Sequence, residues 1–485
     1  LDIGQRGPYK VTTEFMIADK TVLTATALEG AIPELLTTRL THPFPRTKPL
    51  LYLDTLPAHL VFHNTLSPAP GQGVGQYAVE TRLIDAEGEM SQAVLPACQS
   101  AAFDVTLPLP RAPVAPARID VVVKAGTSVV QTTSIPIAVI PPRQPSVVVD
   151  DTLTLRVNGK PFFPIGIYHI GLKDLPKARD LGFNCFQGWG NTREQAQENL
   201  DAGTDNDMRV LLEMSGFLRG AFNREALGSI VREFRRHPAL LTWYTVDEPD
   251  GDEQLAWAQQ AYADIVELDP YHPVYLVMCS PGSFDRFGPT TDILAVDPYP
   301  IPQSVRMVSD WMQRAQNAVE ACKPIWMIPQ LHNWSAYQHQ EGGRAPTPAD
   351  LRNMTFQSLV WGAKGVIYYP WDDTVTGLIY EPQLLASIGA LNAELADLGP
   401  RLLAAERTVL ATGKDQPYIA ARFDTANQSL LLAVNLEEKP CAMSVPAGGY
   451  RTATARNGST EATFTEGQLR STLPPLAVDL WELTK

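Results

Sequence analysis

The sequence predicts an α/β protein: a (β/α)8 barrel flanked by an N-terminal β-sandwich and a small C-terminal β-sandwich. In the middle of the chain, short apolar runs alternate with helical patterns, whereas both ends carry short strand patterns without a helical period. The length of 485 residues exceeds that of one ordinary domain. We therefore expect three domains, at 1–145, 146–402 and 403–485.

The N-terminal segment consists of short alternating apolar runs that are separated by proline and glycine. Residues 78–84 and 119–123 are examples, and no long helical pattern competes with them. This spacing is typical of a β-sandwich. A proline-rich stretch at 141–145 follows and indicates a linker.

Eight candidate strands alternate with helical patterns from residue 153 onward. They span 162–169, 183–189, 209–215, 240–246, 274–279, 292–297, 324–330 and 365–371. Eight alternations over roughly 240 residues match the size and rhythm of a TIM barrel. A doubly wound open sheet is the competing fold, but no glycine-rich phosphate loop follows any of these strands. After about residue 400 strand patterns at 409–412, 418–423, 429–435, 443–447 and 478–483 predict the C-terminal sandwich.

Charge and composition limit the partners that we expect. The 39 Lys and Arg residues against 53 Asp and Glu residues give a formal net charge of −14, which does not favour nucleic acid. No stretch of about 18 apolar residues occurs, so we expect no membrane span. The five cysteines form no CxxC pair and are expected to be buried free thiols. The chain begins at Leu1 rather than methionine, which indicates processing or trimming, and we expect a secreted or periplasmic protein.

The most informative segment for function is the fourth candidate strand, which ends in Asp247 and Glu248 before Pro249. Taken alone, the acids of this segment could form an N-cap and first helical turn, where carboxylates complement the helix dipole. A β/α barrel, however, keeps its chemistry at the carboxyl ends of its strands. The position of the pair at the end of the fourth of eight strands therefore favours a catalytic role.

Aromatic, amide and acidic side chains converge at the same mouth, and this mixture suits a carbohydrate. Aromatic faces stack on pyranose rings, while acids and amides bind hydroxyl groups. The residues expected to bind substrate are Tyr168, His169, Trp189, Glu213, Asp297, Tyr299, Gln330, His332, Trp334, Tyr369, Trp371 and Asp372. We expect no cofactor. No metal site is expected either, because the closely spaced His59 and His63 lie in a strand pattern rather than on a helix.

Over residues 157–371 the chain resembles the large clan of retaining glycoside hydrolases built on a TIM barrel. Those enzymes open with an Asn-Gly-Lys-Pro turn, here at 158–161, and carry Asn-Glu after strand 4 and a nucleophilic Glu after strand 7. The resemblance matches Glu248 to the acid/base, with Asp247 in place of the asparagine. Strand 7 ends in Gln330, whose amide cannot form a glycosyl ester. A double displacement with the usual carboxylate pair is therefore not expected.

An Asp-Glu pair without a strand 7 nucleophile resembles the substrate-assisted hexosaminidases, and with this flanking architecture it is most similar to glycoside hydrolase family 123, the β-N-acetylgalactosaminidases. The resemblance implies retaining hydrolysis in which the 2-acetamido oxygen of the substrate attacks the anomeric carbon and forms an oxazolinium intermediate. Glu248 would protonate the glycosidic oxygen and later deprotonate water. Asp247 would stay ionised, orient the acetamido group, and titrate as a coupled pair with Glu248.

This interpretation requires a local distortion, because neighbours on a regular strand point to opposite faces, so a bulge or early turn at Asp247 is expected. Two other functions stay open. One is a glycosidase for a neutral sugar, in which Asp297, Asp372 or Asp373 supplies the second carboxyl group. The other is a non-catalytic carbohydrate-binding barrel in which Gln330 records a lost nucleophile.

Overall fold

The computed structural model describes residues 7–17, 20–32, 34–69, 71–218, 222–338, 342–456 and 458–485. Contacts divide the chain into two compact units, Leu1–Pro142 and Arg143–Lys485. The division falls within the predicted linker. The barrel and the C-terminal sheets belong to the same unit, so the boundary expected after residue 402 stays a prediction.

The first unit contains two sheets that enclose a shared apolar core. The five-stranded sheet has the order Leu50–Tyr52, Ser128–Ile140, Ala117–Ala125, Tyr77–Asp85 and Gly88–Leu95, and the three-stranded sheet has the order Leu36–His42, His59–Leu66 and Ala102–Pro108. Gly7–Ile17 and Lys20–Ile32 form a further antiparallel pair, and Val74–Gln76 is a 3-10 turn. Alternate residues Ile119, Val121 and Val123 are buried in the core, as a strand with one solvated face requires. The predicted N-terminal β-sandwich is confirmed.

The second unit contains a closed barrel of eight parallel strands in chain order, which confirms the predicted barrel. The strands are Ile165–Ile167, Cys185–Trp189, Arg209–Glu213, Leu240–Asp247, Val274–Met278, Ile293–Val296, Ile325–Met327 and Gly365–Tyr368. Every residue of the fifth and sixth strands is buried, because helices cover the outside while side chains fill the inside. This two-sided burial explains why these runs are continuously apolar.

Helices follow the barrel strands along the chain. Their bounds are Leu175–Asp180, Arg193–Asp205, Arg224–Phe234, Asp252–Leu268, Phe284–Phe287, Met307–Ala318, Trp334–Gln338, Pro348–Val360 and Pro382–Ala404, with 3-10 turns at Leu172–Asp174, Ser215–Leu218, Pro281–Ser283, Gly288–Thr290 and Leu378–Tyr380. Local sequence sets some of these starts: Thr347 and Asp350 form a reciprocal capping box. In the part of the chain that the structure describes, no helix has the length and apolar character needed to cross a membrane.

Short sheets lie on both sides of the barrel in the sequence. Val147–Val149, Leu155–Val157 and Lys160–Pro161 precede it. After it, one sheet has the order Glu406–Thr412, Tyr418–Asp424, Ser429–Asn435, Val478–Thr484 and Thr452–Arg456, and another has the order Cys441–Pro446, Gln468–Leu473 and Thr463–Thr465. These sheets share an apolar core around Trp481, which confirms the C-terminal sandwich. Asn353 of a barrel helix donates to the carbonyl oxygens of Asn435 at 2.7 Å and Leu476 at 2.9 Å, so the sandwich is fastened to the barrel.

The five cysteines are free, and their burial differs from the prediction at two positions. Cys98, Cys185 and Cys441 are buried as expected, whereas Cys322 is partly exposed and Cys279 is exposed. Both differing residues follow a strand or helix rather than lying within one. A cysteine that lies just outside a strand or helix is therefore not necessarily buried.

A buried ionic cluster lies at the amino-terminal end of the fourth and fifth barrel strands. The fully buried carboxylate of Asp269 accepts from Trp243 Nε1 at 2.9 Å and from Arg143 Nη2 at 2.9 Å, and His272 Nδ1 lies 2.7 Å away. Burial acts to raise the pKa of Asp269, but His272 and Arg143 outweigh it and lower the pKa. A lowered aspartate pKa means that the stabilisation is present above the pKa of the unfolded chain and is lost as the pH falls through the folded value.

We expect Asp269→Ala to lower the free energy of unfolding by about 3–5 kcal/mol, because it leaves a buried guanidinium without its counter-ion. Asp180→Ala is the control: that carboxylate is 70% exposed and pairs with Arg179 at the surface, so its loss should cost only about 0–1 kcal/mol. Urea unfolding followed by tryptophan fluorescence measures both variants. Equal destabilisation of the two would contradict the assignment of the cluster as a structural centre.

Candidate active site

A pocket of about 290 Å³ opens at the carboxyl ends of the barrel strands. Its lining joins Asp247 and Glu248 to most of the residues that the sequence assigned to substrate binding. The lining residues are Tyr168, His169, Glu213, Tyr244, Asp247, Glu248, Val277, Asp297, Tyr299, Ile328, His332, Trp334, Tyr337 and Tyr369. The barrel therefore gathers side chains from distant parts of the chain at the face where such folds keep their chemistry.

An irregular backbone brings Asp247 and Glu248 to the same pocket. The pairing of the fourth strand with the fifth shifts register between Tyr244 and Val246, so one extra residue is accommodated there. Asp247 ends the strand, and Glu248 has φ +46°, a left-handed conformation that is strained for a residue with a side chain. The Glu248 N–H donates to the carbonyl oxygen of Val277 at 3.1 Å. Of the two expected distortions, a bulge or an early turn at Asp247, the structure has a bulge, which lies just before Asp247, while the strand continues through Asp247 itself. Both acids are exposed to the pocket.

The Asp247 carboxylate is held by a buried tyrosine. The Tyr244 hydroxyl donates to Asp247 Oδ1, and the Tyr244 ring packs edge-on against Tyr168 and Tyr275, with centroids 6.1 and 5.0 Å away. Burial, together with the charge of Asp247, raises the pKa of Tyr244 well above its usual value, so the phenol stays a donor. Tyr244 was not among the site residues predicted from the sequence. Strand alternation could have found it, because Trp243 points outward to Asp269 and its neighbour must therefore face the barrel interior.

Asp297, which follows the sixth strand, lines the pocket together with Asp247 and Glu248. It is 3% exposed, and no donor among the described residues reaches its Oδ1 atom. Burial first, and then the neighbouring carboxyl groups of Glu248 and Asp247, raise the pKa of Asp297 well above that of an ordinary aspartate. The coupling between Asp247 and Glu248 that the sequence led us to expect stays a prediction.

A fourth acid, Glu213, forms part of the pocket lining from the third strand. It is 3% exposed, and it accepts hydrogen bonds from Gln187 Nε2 at 2.7 Å and from the Ser215 hydroxyl. These donors fix the carboxylate in one orientation. Glu213 thus lies where the sequence predicted it, with its own supporting contacts.

Asp373 lies behind the aromatic residues of the rim. It accepts from the Tyr369 hydroxyl at 2.9 Å and from the Tyr337 hydroxyl, and His169 Nδ1 lies 3.2 Å away. Burial acts to raise the pKa of Asp373, but the tyrosine hydrogen bonds and His169 outweigh it and lower the pKa. Asp373 therefore orients three residues of the pocket lining. Tyr337 was missed from sequence, although its spacing of three residues from Trp334 on a short helix would have suggested a shared face.

One side of the pocket is an aromatic wall around His332. The centroid of the His332 ring lies 4.6 Å from that of Trp334 and 4.7 Å from that of Tyr299, and both pairs pack edge-on. Burial lowers the pKa of His332 to about 4, against smaller raising effects of the Tyr369 backbone and Asp373. His332 is therefore neutral near pH 7. The wall offers ring faces and edges of the kind that bind the apolar faces of a sugar.

Gln330 does not contact the pocket, which corrects the sequence prediction. Its side chain is fully buried, and both the oxygen and the nitrogen of its amide form hydrogen bonds. Oε1 accepts from the Ile301 N–H at 2.9 Å, while Nε2 donates to the carbonyl oxygens of Ile301 and His332, each at 3.0 Å. Gln330 therefore fastens the segment after the sixth strand to the end of the seventh.

Three further predicted residues lie outside the pocket lining. Trp371 is fully buried and packs edge-on against Phe183 at 6.5 Å; the eighth strand ends at Tyr368, so strand alternation does not extend to Trp371. Asp372 accepts from the Tyr380 hydroxyl and the Thr374 N–H, both of which lie beyond the end of the eighth strand. Trp189 is 38% exposed, with its ring 5.9 Å from that of His169, and so lies beside the mouth. The prediction that Trp371 contacts the substrate is wrong, because its side chain is fully buried. Asp372 lies outside the pocket lining, so its position does not support the same prediction.

The pocket lining is acidic. Among the described residues it contains the carboxyl groups of Glu213, Asp247, Glu248 and Asp297, and no lysine or arginine. Within the described residues, no group of three or more His, Cys, Asp or Glu side chains is arranged to hold a metal ion. The arrangement can supply carboxyl groups for proton transfer and charge stabilisation, with aromatic surfaces for binding.

Fold and pocket together define a β/α barrel protein with an acidic, aromatic-lined pocket at its carboxyl face. No family model matches the chain. The chain is similar to the β-glucuronidase of Pongo abelii, with 26% identity over 169 residues that cover 30% of this chain and 26% of the relative. The β-glucuronidase of Homo sapiens is 25% identical over the same number of residues. The chain thus aligns with about a quarter of the length of these glycoside hydrolases.

Solved structures of β-glucuronidases also match. The enzyme of Ruminococcus gnavus has a TM-score of 0.37 and 14% identity, covering 71% of this chain and 63% of that chain. The enzyme of Dictyoglomus thermophilum has a TM-score of 0.37 and 11% identity, covering 76% and 72%. These relatives are β-glucuronidases, so they lend no support to the resemblance to family 123.

Proposed function

We propose that this protein is a retaining glycoside hydrolase that removes β-linked N-acetylgalactosamine, with the 2-acetamido group of the substrate as nucleophile. One observation carries the proposal. Asp247 and Glu248 face one pocket, while the residue at the usual position of a strand 7 nucleophile, Gln330, is a buried amide with its hydrogen-bonding groups occupied. The galacto configuration rests on the resemblance to family 123.

In the first step, Glu248 donates a proton to the glycosidic oxygen while the acetamido oxygen attacks the anomeric carbon. The bond to the leaving alcohol breaks, and an oxazolinium ring forms. Asp247 stays ionised, accepts the acetamido N–H, and stabilises the positive charge that develops on the ring. The hydrogen bond from Tyr244 keeps the Asp247 carboxylate oriented for this task.

In the second step, Glu248 removes a proton from a water molecule whose oxygen attacks the anomeric carbon. The ring opens, the acetamido group is restored, and the sugar leaves with its original β configuration. Apart from the attacking water, both steps use only groups of the pocket and of the substrate. The proton that Glu248 gives up in the first step is regained in the second.

The charge of the pocket favours a sugar without a negative charge. A substrate carboxylate would meet the ionised Asp247 and three further carboxyl groups, those of Glu213, Glu248 and Asp297, with no lysine or arginine in the described lining to pair with it. Like charges in a partly desolvated site repel each other strongly. A neutral 2-acetamido sugar avoids this repulsion, and its N–H and hydroxyl groups can donate to the carboxylates.

Hydrolysis of β-glucuronides is the second candidate, favoured by the similarity to β-glucuronidases over 169 residues. The neutral-sugar mechanism with a second carboxyl group is less well supported. Asp297 is 3% exposed and burial raises its pKa well above that of an ordinary aspartate, which does not suit the ionised carboxylate that this mechanism needs. Asp372 lies outside the lining, and Asp373 is engaged by two tyrosine hydroxyls.

A panel of 4-nitrophenyl β-glycosides tests the proposal. The N-acetylgalactosaminide is expected to be hydrolysed, while the matched galactoside, which differs by the acetamido group alone, is not. A thiazoline analogue of the oxazoline should inhibit competitively. Turnover of the galactoside or the glucuronide, without turnover of the N-acetylgalactosaminide or the N-acetylglucosaminide, would overturn the proposal. Tight sugar binding by calorimetry without hydrolysis by concentrated protein would instead indicate a binding barrel.

A further inference from the structure

A second pocket, of about 240 Å³, lies at the amino-terminal end of the barrel, opposite the acidic pocket. Three of its lining residues carry a positive charge. Lys323 and Lys364 lie just before the seventh and eighth barrel strands, and Arg407 lies in the strand that follows the last barrel helix. The barrel and the C-terminal sandwich thus form this basic pocket together, within one compact unit.

The lining of the basic pocket contains no acid among the described residues. Its other members are Thr152, Leu153, Gln316, Ala321, Pro324, Ile325, Leu359, Gly362, Ala363, Leu402, Ala405 and Phe423. The whole chain has 53 Asp and Glu residues against 39 Lys and Arg residues. A basic lining without acids is therefore not a consequence of the composition.

Lys364 and Arg407 are both partly buried, and within the part of the chain that the structure describes no carboxylate forms an ion pair with either. Arg407 Nη1 donates to the carbonyl oxygen of Val360 at 3.0 Å. The acid whose charge acts on Lys364 is Asp150, which accepts instead from Arg156 Nε at 2.5 Å. Most of the donors of the guanidinium and the ammonium are therefore left for a ligand.

Two cations that face one pocket without an anion are in an unfavourable state. Burial lowers the pKa of Arg407. Burial also lowers the pKa of Lys364, where the charge of Asp150 opposes it and the charge of Arg407 adds to it. A bound anion would replace the solvent that both groups lose and would offset their mutual repulsion.

We propose that the basic pocket binds a small oxyanion, inorganic phosphate or sulfate, between the guanidinium of Arg407 and the ammonium of Lys364. A guanidinium donates in a planar fork, and an ammonium donates in three directions, so together they match a tetrahedral oxyanion. Lys323 adds charge rather than a free donor set, because its Nζ already donates to the carbonyl oxygens of Gly288 at 3.0 Å and of Thr291. The bound ion would join the barrel to the sandwich.

Calorimetric titration of the wild-type protein with sodium phosphate, at constant ionic strength, tests the proposal. We expect saturable binding to one site. Lys364→Gln should weaken this binding about tenfold or more, as expected for loss of a hydrogen bond between charged groups. Lys364 forms no side-chain hydrogen bond to the residues that the structure describes, so this variant should fold like the wild type. Absence of saturable binding, or unchanged affinity in Lys364→Gln, would overturn the proposal.

Arg209→Gln is the matched control. Arg209 begins the third barrel strand at the same end of the barrel, is partly buried, and donates to the carbonyl oxygen of Pro238. It lies outside the lining of the basic pocket. This variant should keep the wild-type affinity for phosphate. An equal loss of affinity in Arg209→Gln and Lys364→Gln would mean that phosphate responds to overall charge, and would reject the pocket.

Thermal unfolding in phosphate, sulfate and chloride of equal ionic strength separates a site from a general salt effect. Phosphate and sulfate stabilise most proteins by exclusion from the surface. That effect keeps growing with concentration, whereas stabilisation by a bound ligand follows its binding curve. A rise in Tm at low phosphate or sulfate that is present in the wild type and in Arg209→Gln, and absent in Lys364→Gln, is expected. Identical curves for the three proteins would overturn the proposal.

Discussion

Replacing Glu248 with glutamine is expected to lower kcat for an aryl N-acetylgalactosaminide by about 10²–10⁴-fold, the range typical for loss of a general acid/base. The amide keeps the shape of the side chain, and Glu248 is exposed, so the fold should be retained. A good leaving group needs little protonation, and azide can replace the activated water. Added azide should therefore restore turnover and yield the β-glycosyl azide, which NMR would identify.

The control for this variant is Glu253→Gln. Glu253 is an exposed acid in the first turn of the helix Asp252–Leu268, outside the pocket lining. Its substitution changes the net charge by the same amount and should leave kcat within about twofold, as expected for a surface change. If Glu248→Gln kept wild-type turnover of a substrate with a poor leaving group, Glu248 would not be the acid.

Asp247→Asn has the second largest expected effect, a fall in kcat of about 10²–10³-fold on substrates with a 2-acetamido group. This range is typical for loss of one group that stabilises the transition state, and here the lost charge faces the developing oxazolinium. Asparagine can still accept the Tyr244 hydroxyl hydrogen bond, so the side chain should keep its position. Steady-state kinetics with substrates of increasing leaving-group ability would measure the change.

A matched control is Asp252→Asn, because the Asp252 side chain is 97% exposed and pairs with Arg286 at the surface. This variant should keep wild-type kinetics. Asp247→Asn should also leave the melting temperature nearly unchanged, since Asp247 is exposed at the end of its strand. An Asp247→Asn enzyme with full turnover would exclude a role for this carboxylate in the acetamido mechanism.

The barrel was predictable because its strands are buried on both faces and therefore form continuous apolar runs. The positions predicted for the strand ends were less accurate. The first strand was expected over 162–169, whereas only Ile165–Ile167 pairs in the barrel, in part because Pro164 has no N–H to contribute. The strands Thr452–Arg456 and Thr463–Thr465 were missed because their residues are mostly exposed and polar, without an apolar alternation.

The position of the candidate site was also predictable, since it depends only on which residues end the barrel strands. The contacts within it were not. Glu248 follows the fourth strand and Asp297 follows the sixth, which are not adjacent in the barrel, so their meeting in one pocket depends on side-chain reach. The role of Gln330 depends on the path of the segment around Ile301, which no periodic pattern describes. Trp371 was misplaced because alternation was extended beyond the end of the strand.

Successive fluorination of the substrate acetamido group tests the central claim most directly. Each fluorine on the methyl carbon withdraws electrons and makes the carbonyl oxygen a weaker nucleophile without changing the leaving group. If this oxygen attacks the anomeric carbon beside Asp247, kcat/KM for the aryl β-N-acetylgalactosaminides should fall steeply and regularly from the acetamide to the trifluoroacetamide. Values of kcat/KM that do not change along this series would contradict the account.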